Sequence, residues 1–138
     1  MFARGTSVGL LEFKYGIIPD LGGTQRLPRL VGPGKAKEMI FTAARIDADE
    51  AFRIGLCEQL VADEELEEAA GKLATRIAGQ PPLAIRYAKR AVNASWDEPI
   101  AEGLRIEAEG QAVCLPSKDM REAISAFVEQ RDAVYRNR

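Results

Sequence analysis

"LEFKYGIIPDLGGTQRLPRLVG", residues 11–32, is the stretch on which the reading of this chain turns. Two carboxylates, Glu12 and Asp20, flank a segment punctuated by Gly16 and Pro19, and Gly22, Gly23 and Arg26 follow. Gly16 and Pro19 forbid a continuous helix through it. Residues 6–13, "TSVGLLEF", read as a short strand that is apolar on both faces at Val8, Leu10 and Leu11. Such a strand belongs in a sheet covered on both sides. The segment therefore reads as a strand, a bend, and a helix that starts near "GGTQRLPRL".

Outward from this stretch the chain is mostly helical. Ala36, Met39, Ile40, Ala43 and Ala44 follow helical spacing. A short helix is predicted over 48–54, stopped by Gly55, and "LCEQLV" at 56–61 is a second strand candidate. Leu66, Ala69, Ala70, Leu73, Ala74, Ile77 and Ala78 step along one helix face, with Glu64, Glu65, Glu67 and Glu68 loading its first turns. Pro81 and Pro82 break the chain and start the next helix, which sets Ala84, Tyr87, Ala88, Ala91 and Val92 on one side. A further helix covers about 99–113. The last begins after Ser117, an N-cap, with Met120, Ala123, Ile124, Phe127, Val128, Val134 and Tyr135 as its apolar stripe. One or two strands cannot make a stable sheet, and a strand apolar on both faces needs neighbours. The pattern reads as the second half of a larger α/β fold whose first half is absent.

Composition narrows the chemistry. The 138 residues, 46% of them hydrophobic, suit one domain with a real core. Nineteen basic and twenty-one acidic side chains leave a net charge of −2, with no cationic run that asks for nucleic acid. No apolar stretch approaches bilayer length, and "MFARGTSVGLLEF" is too short and too weakly apolar for a signal peptide. A cytoplasmic protein that does not enter the membrane is the expectation. Cys57 and Cys114 form no CxxC pair and read as reduced packing residues. There is no histidine, which removes Ser–His and Cys–His nucleophile pairs and any His-based metal site. Chemistry here falls to carboxylates or backbone dipoles, with no metal.

Each feature of the opening stretch carries two readings. Glu12, at a strand's exit beside an apolar wall, can gain proton affinity by desolvation and act as a proton donor or acceptor. The plainer reading is an acid emerging into solvent. Asp20 sits in "PDLGG", where an aspartate commonly bonds to its local backbone. Gly22 and Gly23 either let a backbone pass close to a ligand or simply start a helix. Arg26 and Arg29 read as solvated or paired with nearby acids.

Taken whole, "LLEFKYGIIPDLGGTQRLPRLVG" resembles the signature region of the enoyl-CoA hydratase/isomerase family, the crotonase superfamily. The resemblance continues through "GKAKEMIFTAARIDADEAFRIGLCEQLV", "PPLAIRYAKRAVN" and "DMREAISAFVEQRDAVY", so nearly the whole chain is covered. It implies an α/β, mostly helical fold: the C-terminal part of a crotonase-like ββα spiral followed by a helical trimerisation region, without the N-terminal half. Residues 1–62 would be the remnant of the spiral core and 63–138 the helical oligomerisation region. The resemblance also implies an acyl-CoA thioester as substrate, no separate cofactor, and an oxyanion hole of two backbone N–H groups. Glu12 matches the second of the two glutamates of enoyl-CoA hydratases, which handles the proton at the α-carbon. Asp20 stands where many hydratases carry a small residue and where dienoyl-CoA isomerases carry an acid. Pro19, Leu21 and Gly22 fall on the substrate-binding side of the same motif. Phe127 matches an aromatic that helps line the CoA site, usually from a neighbouring subunit. Gln130 stands where hydratases often place a Lys directed at the CoA phosphates, with Arg131 next to it.

The family's A-x-x-G-x-D-like loop, Gly-rich helix start and first glutamate have no counterpart in the sequence. The implied partners are further copies of this chain, as a trimer or dimer of trimers, or a chain that supplies the first half. Two other readings compete: a non-catalytic helical oligomerisation module, and a dienoyl-CoA or enoyl-CoA isomerase.

Overall fold

A computed structural model describes residues 1–137. The chain divides into two compact units, Met1–Lys72 and a second that begins at Leu73.

Four two-residue strands and three helices build the first unit. Strand β1 (Phe2–Ala3) pairs in parallel with β4 (Leu60–Val61), and β2 (Ser7–Val8) pairs antiparallel with β3 (Ile46–Asp47). The helices are α1 (Gly23–Val31), α2 (Pro33–Thr42) and α3 (Ala48–Arg53). Gly32, at φ 81°, turns the chain between α1 and α2, and Pro33 opens α2 at a position that needs no N–H partner. Asp47 caps α3 by accepting the Glu50 N–H at 2.9 Å. The core is the cluster of Leu27, Ala36, Met39 and Ile40, against which Leu10, Val31, Ile46, Ile54 and Leu56 pack. Lys35 of α2 reaches Glu50 of α3 at 2.9 Å, and Arg53 reaches the same carboxylate at 2.6 Å. The Arg53 and Lys35 bonds draw the Glu50 carboxyl down to about 2.

The strand expected over 6–13 is confined to Ser7–Val8, and Glu12–Tyr15 form a 3-10 turn. The partner explains the difference. Val8 pairs with Ile46, so Leu10 would have to pair with Ala44 in antiparallel register. There the partner chain is leaving α2 through Ala43, which sits in the left-handed region at φ 46°. The ladder cannot extend. A Cβ on Gly9 would lie 2.7 Å from the Ala44 carbonyl oxygen, which shows how closely the two segments cross. The second strand is likewise only two residues of the expected 56–61. The short helix at 48–54 is present as Ala48–Arg53, and Gly55 follows at φ 76°.

Helix α4 (Leu66–Ala78) follows a 3-10 turn at Asp63–Glu65 and carries the chain into the second unit. Leu73 and Ile77 on its apolar stripe are exposed. The second unit then contains α5 (Pro82–Ala94), α6 (Ile100–Cys114) and α7 (Lys118–Glu129). Ser117 caps α7 by accepting the Met120 N–H at 3.0 Å. The stripe expected to run to Tyr135 stops sooner. Gln130 turns left-handed at φ 52°, donating to Phe127 at 3.3 Å, and Arg131 donates to Ala126 at 3.0 Å. These are the two bonds of a Schellman stop, made here without glycine. Val134 and Tyr135 therefore lie beyond the helix. No helix among the described residues is long and apolar enough to cross a membrane.

Helices α5 and α6 pack closely because Gly110 has no side chain. A Cβ there would lie 2.9 Å from the Tyr87 Cβ, an atom that cannot swing aside without its backbone. Gly103, two turns earlier on the same helix, has nothing within 4 Å of its Cβ position. Each glycine gains about 1 kcal/mol of helix propensity on replacement by alanine. Overpacking costs about 1–3 kcal/mol. Gly103→Ala is thus expected to raise stability by up to about 1 kcal/mol, and Gly110→Ala to sit about 1–3 kcal/mol below it. Denaturant unfolding of the two variants measures the gap, and equal stabilities would show that α5 and α6 do not meet at Gly110.

Candidate active site

Glu12 opens the 3-10 turn that replaces the expected strand. Leu11 accepts the Lys14 N–H at 3.0 Å, Phe13 accepts the Gly16 N–H at 3.2 Å, and Glu12 accepts the Ile17 N–H at 3.3 Å. Gly16, at φ 73°, closes the turn. The backbone of Glu12 is thereby fixed. Its side chain is half-buried, and Oε2 is buried with no hydrogen-bond partner among the described residues. A buried carboxylate oxygen without a donor is costly, so native structures rarely keep one without a use. The plainer reading, a carboxylate out in solvent, does not describe that oxygen.

The next residue, Phe13, stacks on Phe41 of α2 with ring centroids 5.5 Å apart. The pair lines an apolar cavity of about 350 Å³, together with Ile18, Pro19, Thr24 and Ile40. Pro19 is buried in its wall. Asp20 is exposed, and its main chain makes the turn: its carbonyl accepts the Gly23 N–H at 2.9 Å. Among the described residues its carboxylate accepts no hydrogen bond, so the local side-chain bond expected of an aspartate in "PDLGG" is not made.

Leu21 and Gly22 both sit in the left-handed region, at φ 48° and 85°. A leucine pays a steric cost there that glycine does not. Its side chain is 89% exposed, a large apolar group at the tip of the loop. Arg26 holds this shape. Its Nη1 donates to the Leu21 carbonyl at 3.2 Å, and its guanidinium lies 3.4 Å from where a Gly22 Cβ would stand. Arg29 likewise donates to a carbonyl, that of Gln25, at 2.8 Å. Both arginines are exposed, as one of the two expected readings has it, and neither takes an acid partner among the described residues. The spacing of Arg26, one helical turn past Gly22, was the available signal for its role. Gly23 packs where a Cβ would meet Pro19 at 3.2 Å and Leu10 at 3.3 Å, so the loop, the turn and the core are in direct contact.

Glu12, Pro19, Asp20, Leu21 and Gly22 therefore share one short segment of the first unit, while Phe127 lies on α7 of the second and Gln130 just past its end. Phe127 is 85% exposed. No group of three or more His, Cys, Asp or Glu side chains among the described residues could hold a metal.

The sequence profile described as "Enoyl-CoA hydratase/isomerase" matches residues 1–138. The chain belongs to the enoyl-CoA hydratase/isomerase family. It is 45% identical to the crotonyl-CoA hydratase of Syntrophomonas wolfei over 131 residues, which are 95% of this chain and 50% of that protein. It is 39% identical over 140 residues to the carnitinyl-CoA dehydratase of Salmonella typhimurium, covering 99% of this chain and 54% of that one. The fold superposes on the enoyl-CoA hydratase of Bacillus anthracis with a TM-score of 0.95 and 42% identity, over 99% of this chain and 53% of that chain. The chain thus spans about half the length of these relatives.

Within this enoyl-CoA hydratase/isomerase family chain, Arg131, next to Gln130, is held by two acids. Its guanidinium is already engaged by Glu122 at 2.5 Å and Glu129 at 2.6 Å, and both bonds hold its proton more tightly than usual.

Proposed function

We propose that this chain supplies the acid–base side of an acyl-CoA hydratase site, with Glu12 as the general acid/base at the α-carbon of an enoyl thioester. The carrying observation is the half-buried carboxylate of Glu12, whose Oε2 is buried with no hydrogen-bond partner among the described residues. Hydration fits the relatives named hydratase and dehydratase, which add or remove water. In this reading the Phe13–Phe41 cavity and the Leu21 tip belong to the apolar surround of the acyl group, and Phe127 and Gln130 serve the CoA side of a neighbouring copy. The two amides that hold the enolate oxygen come from polypeptide outside these 138 residues. No cofactor beyond the thioester takes part.

Mixing the chain with a polypeptide equivalent to the remaining half of a relative tests this. Crotonyl-CoA hydration is expected to appear on mixing. A tight complex of the two with no activity would overturn it and favour the non-catalytic oligomerisation module, to which the exposed Leu73, Ile77, Ile124 and Phe127 also lend support. The isomerase reading rests on the exposed, unbonded carboxylate of Asp20. Loss of double-bond migration in Asp20→Asn with hydration intact would select it.

A further inference from the structure

Residues that follow a helix stop fray unless something ties them down. Residues 131–137 are tied. After the left-handed Gln130 the backbone reverses and runs back along α7 toward its start. Glu122 accepts two bonds from Arg131, at 2.5 and 3.2 Å, and the Val134 N–H at 3.0 Å. One turn nearer the start of α7, Asp119 accepts the Arg136 N–H at 2.8 Å and the Asn137 N–H at 2.9 Å. Asp119 is only 3% exposed, yet its two oxygens have these backbone amides as partners. It is also the second residue of α7, where a negative charge complements the helix dipole.

We propose that residues 131–137 are a strap that Asp119 and Glu122 hold as one cooperative unit, locking the last turn of α7. Three features make the five bonds interdependent. The 119–137 segment closes a loop whose ordering entropy is lost once, so the second attachment costs less than the first. Releasing the Asp119 end would leave a buried carboxylate without donors until water reached it. The strap also keeps the Schellman stop in register, because Arg131 bonds both to Ala126 through its N–H and to Glu122 through its side chain. The charged groups around this face, Lys118, Arg121, Arg131 and Arg136, are opposite in sign to the two acids. The opposite face of α7, with Ile124, Phe127 and Val128, stays open.

Amide hydrogen exchange on the full 138-residue chain at neutral pH tests this. The amides of Val134, Arg136 and Asn137 are expected to exchange at least about tenfold more slowly than in an unstructured peptide of the same sequence. Asp119→Asn and Glu122→Gln should each remove most of that protection at all three amides together, and speed exchange in the last turn of α7. Amides of α5, read in the same spectra, report whether a variant remains folded. If Asp119→Asn unfolds the unit, Glu122→Gln and the unaltered chain carry the comparison. Peptide-like exchange of the three amides in the unaltered chain would overturn the proposal. So would a loss confined to the amide whose own acceptor was changed, since that means separate bonds and no strap.

Discussion

On crotonyl-CoA, the isolated 138-residue chain is expected to turn over at least about 10⁴-fold more slowly than a hydratase of full family length. The reasoning starts from charge. Adding water across an enoyl thioester places negative charge on the thioester oxygen. That charge needs donors already in position, because donors that must first reorganise recover little of the barrier. Removing one donor of an oxyanion hole typically costs about 10²–10³ in rate. The loop and Gly-rich helix start that carry the family's two donors have no counterpart in this sequence, so both terms go. The carboxylate proposed as acid/base, Glu12, would contribute about 10²–10⁴ by general acid–base catalysis, and only when a substrate sits against it. Loss of the enoyl thioester absorbance measures the rate. A host hydratase carried through purification is the main confounder, and activity that is identical in Glu12→Gln exposes it. Full family-level hydration by the pure chain, sensitive to Glu12→Gln, would mean that these residues build an oxyanion hole of their own.

How far the sequence led depends on what each signal measures. Helix positions were legible because their signals are local: Ser117 caps, Pro82 starts, Gly55 stops, and the apolar spacing repeats. The candidate site rests on one gapless motif, which sets Glu12, Pro19, Asp20, Leu21 and Gly22 in chain order. The strand over 6–13 was not, because strand length is set by the partner. Nothing in "TSVGLLEF" records that the partner turns left-handed at Ala43 and ends the ladder. The stripe through Val134 and Tyr135 failed for a related reason. Gln130 is not glycine, so the sequence holds no stop there; the stop is made by the Gln130 and Arg131 N–H bonds to Phe127 and Ala126, with Arg131 also held by Glu122, nine residues earlier. Arg26 is exposed as one of its two readings had it, and its bond to the Leu21 carbonyl is the part the sequence left out. Most consequential, the burial of one Glu12 oxygen without a partner is a property of three-dimensional packing that no periodicity reports.

That oxygen makes Glu12→Gln the sharpest test of the chemistry. In an assembly that hydrates crotonyl-CoA, the substitution is expected to lower kcat by about 10²–10⁴. Gln keeps the shape and one carbonyl oxygen but cannot take or give the proton. KM should change little, since in the proposed role the carboxylate acts on the proton in flight and adds little to ground-state binding. The structural consequences separate this from a folding defect. Neither the backbone bonds of the 12–17 turn nor the Phe13–Phe41 contact involve the replaced atom, and Oε2 gives up no bond within the protein. The thermal midpoint of the variant should therefore stay close to that of the unaltered chain, with the buried Gln amide as the only new unsatisfied group. A large fall in midpoint together with the fall in rate would make Glu12 a structural residue. Unchanged kcat with an unchanged midpoint would leave the orphaned oxygen unexplained and remove the carboxylate from the reaction, however closely the surrounding motif follows its relatives.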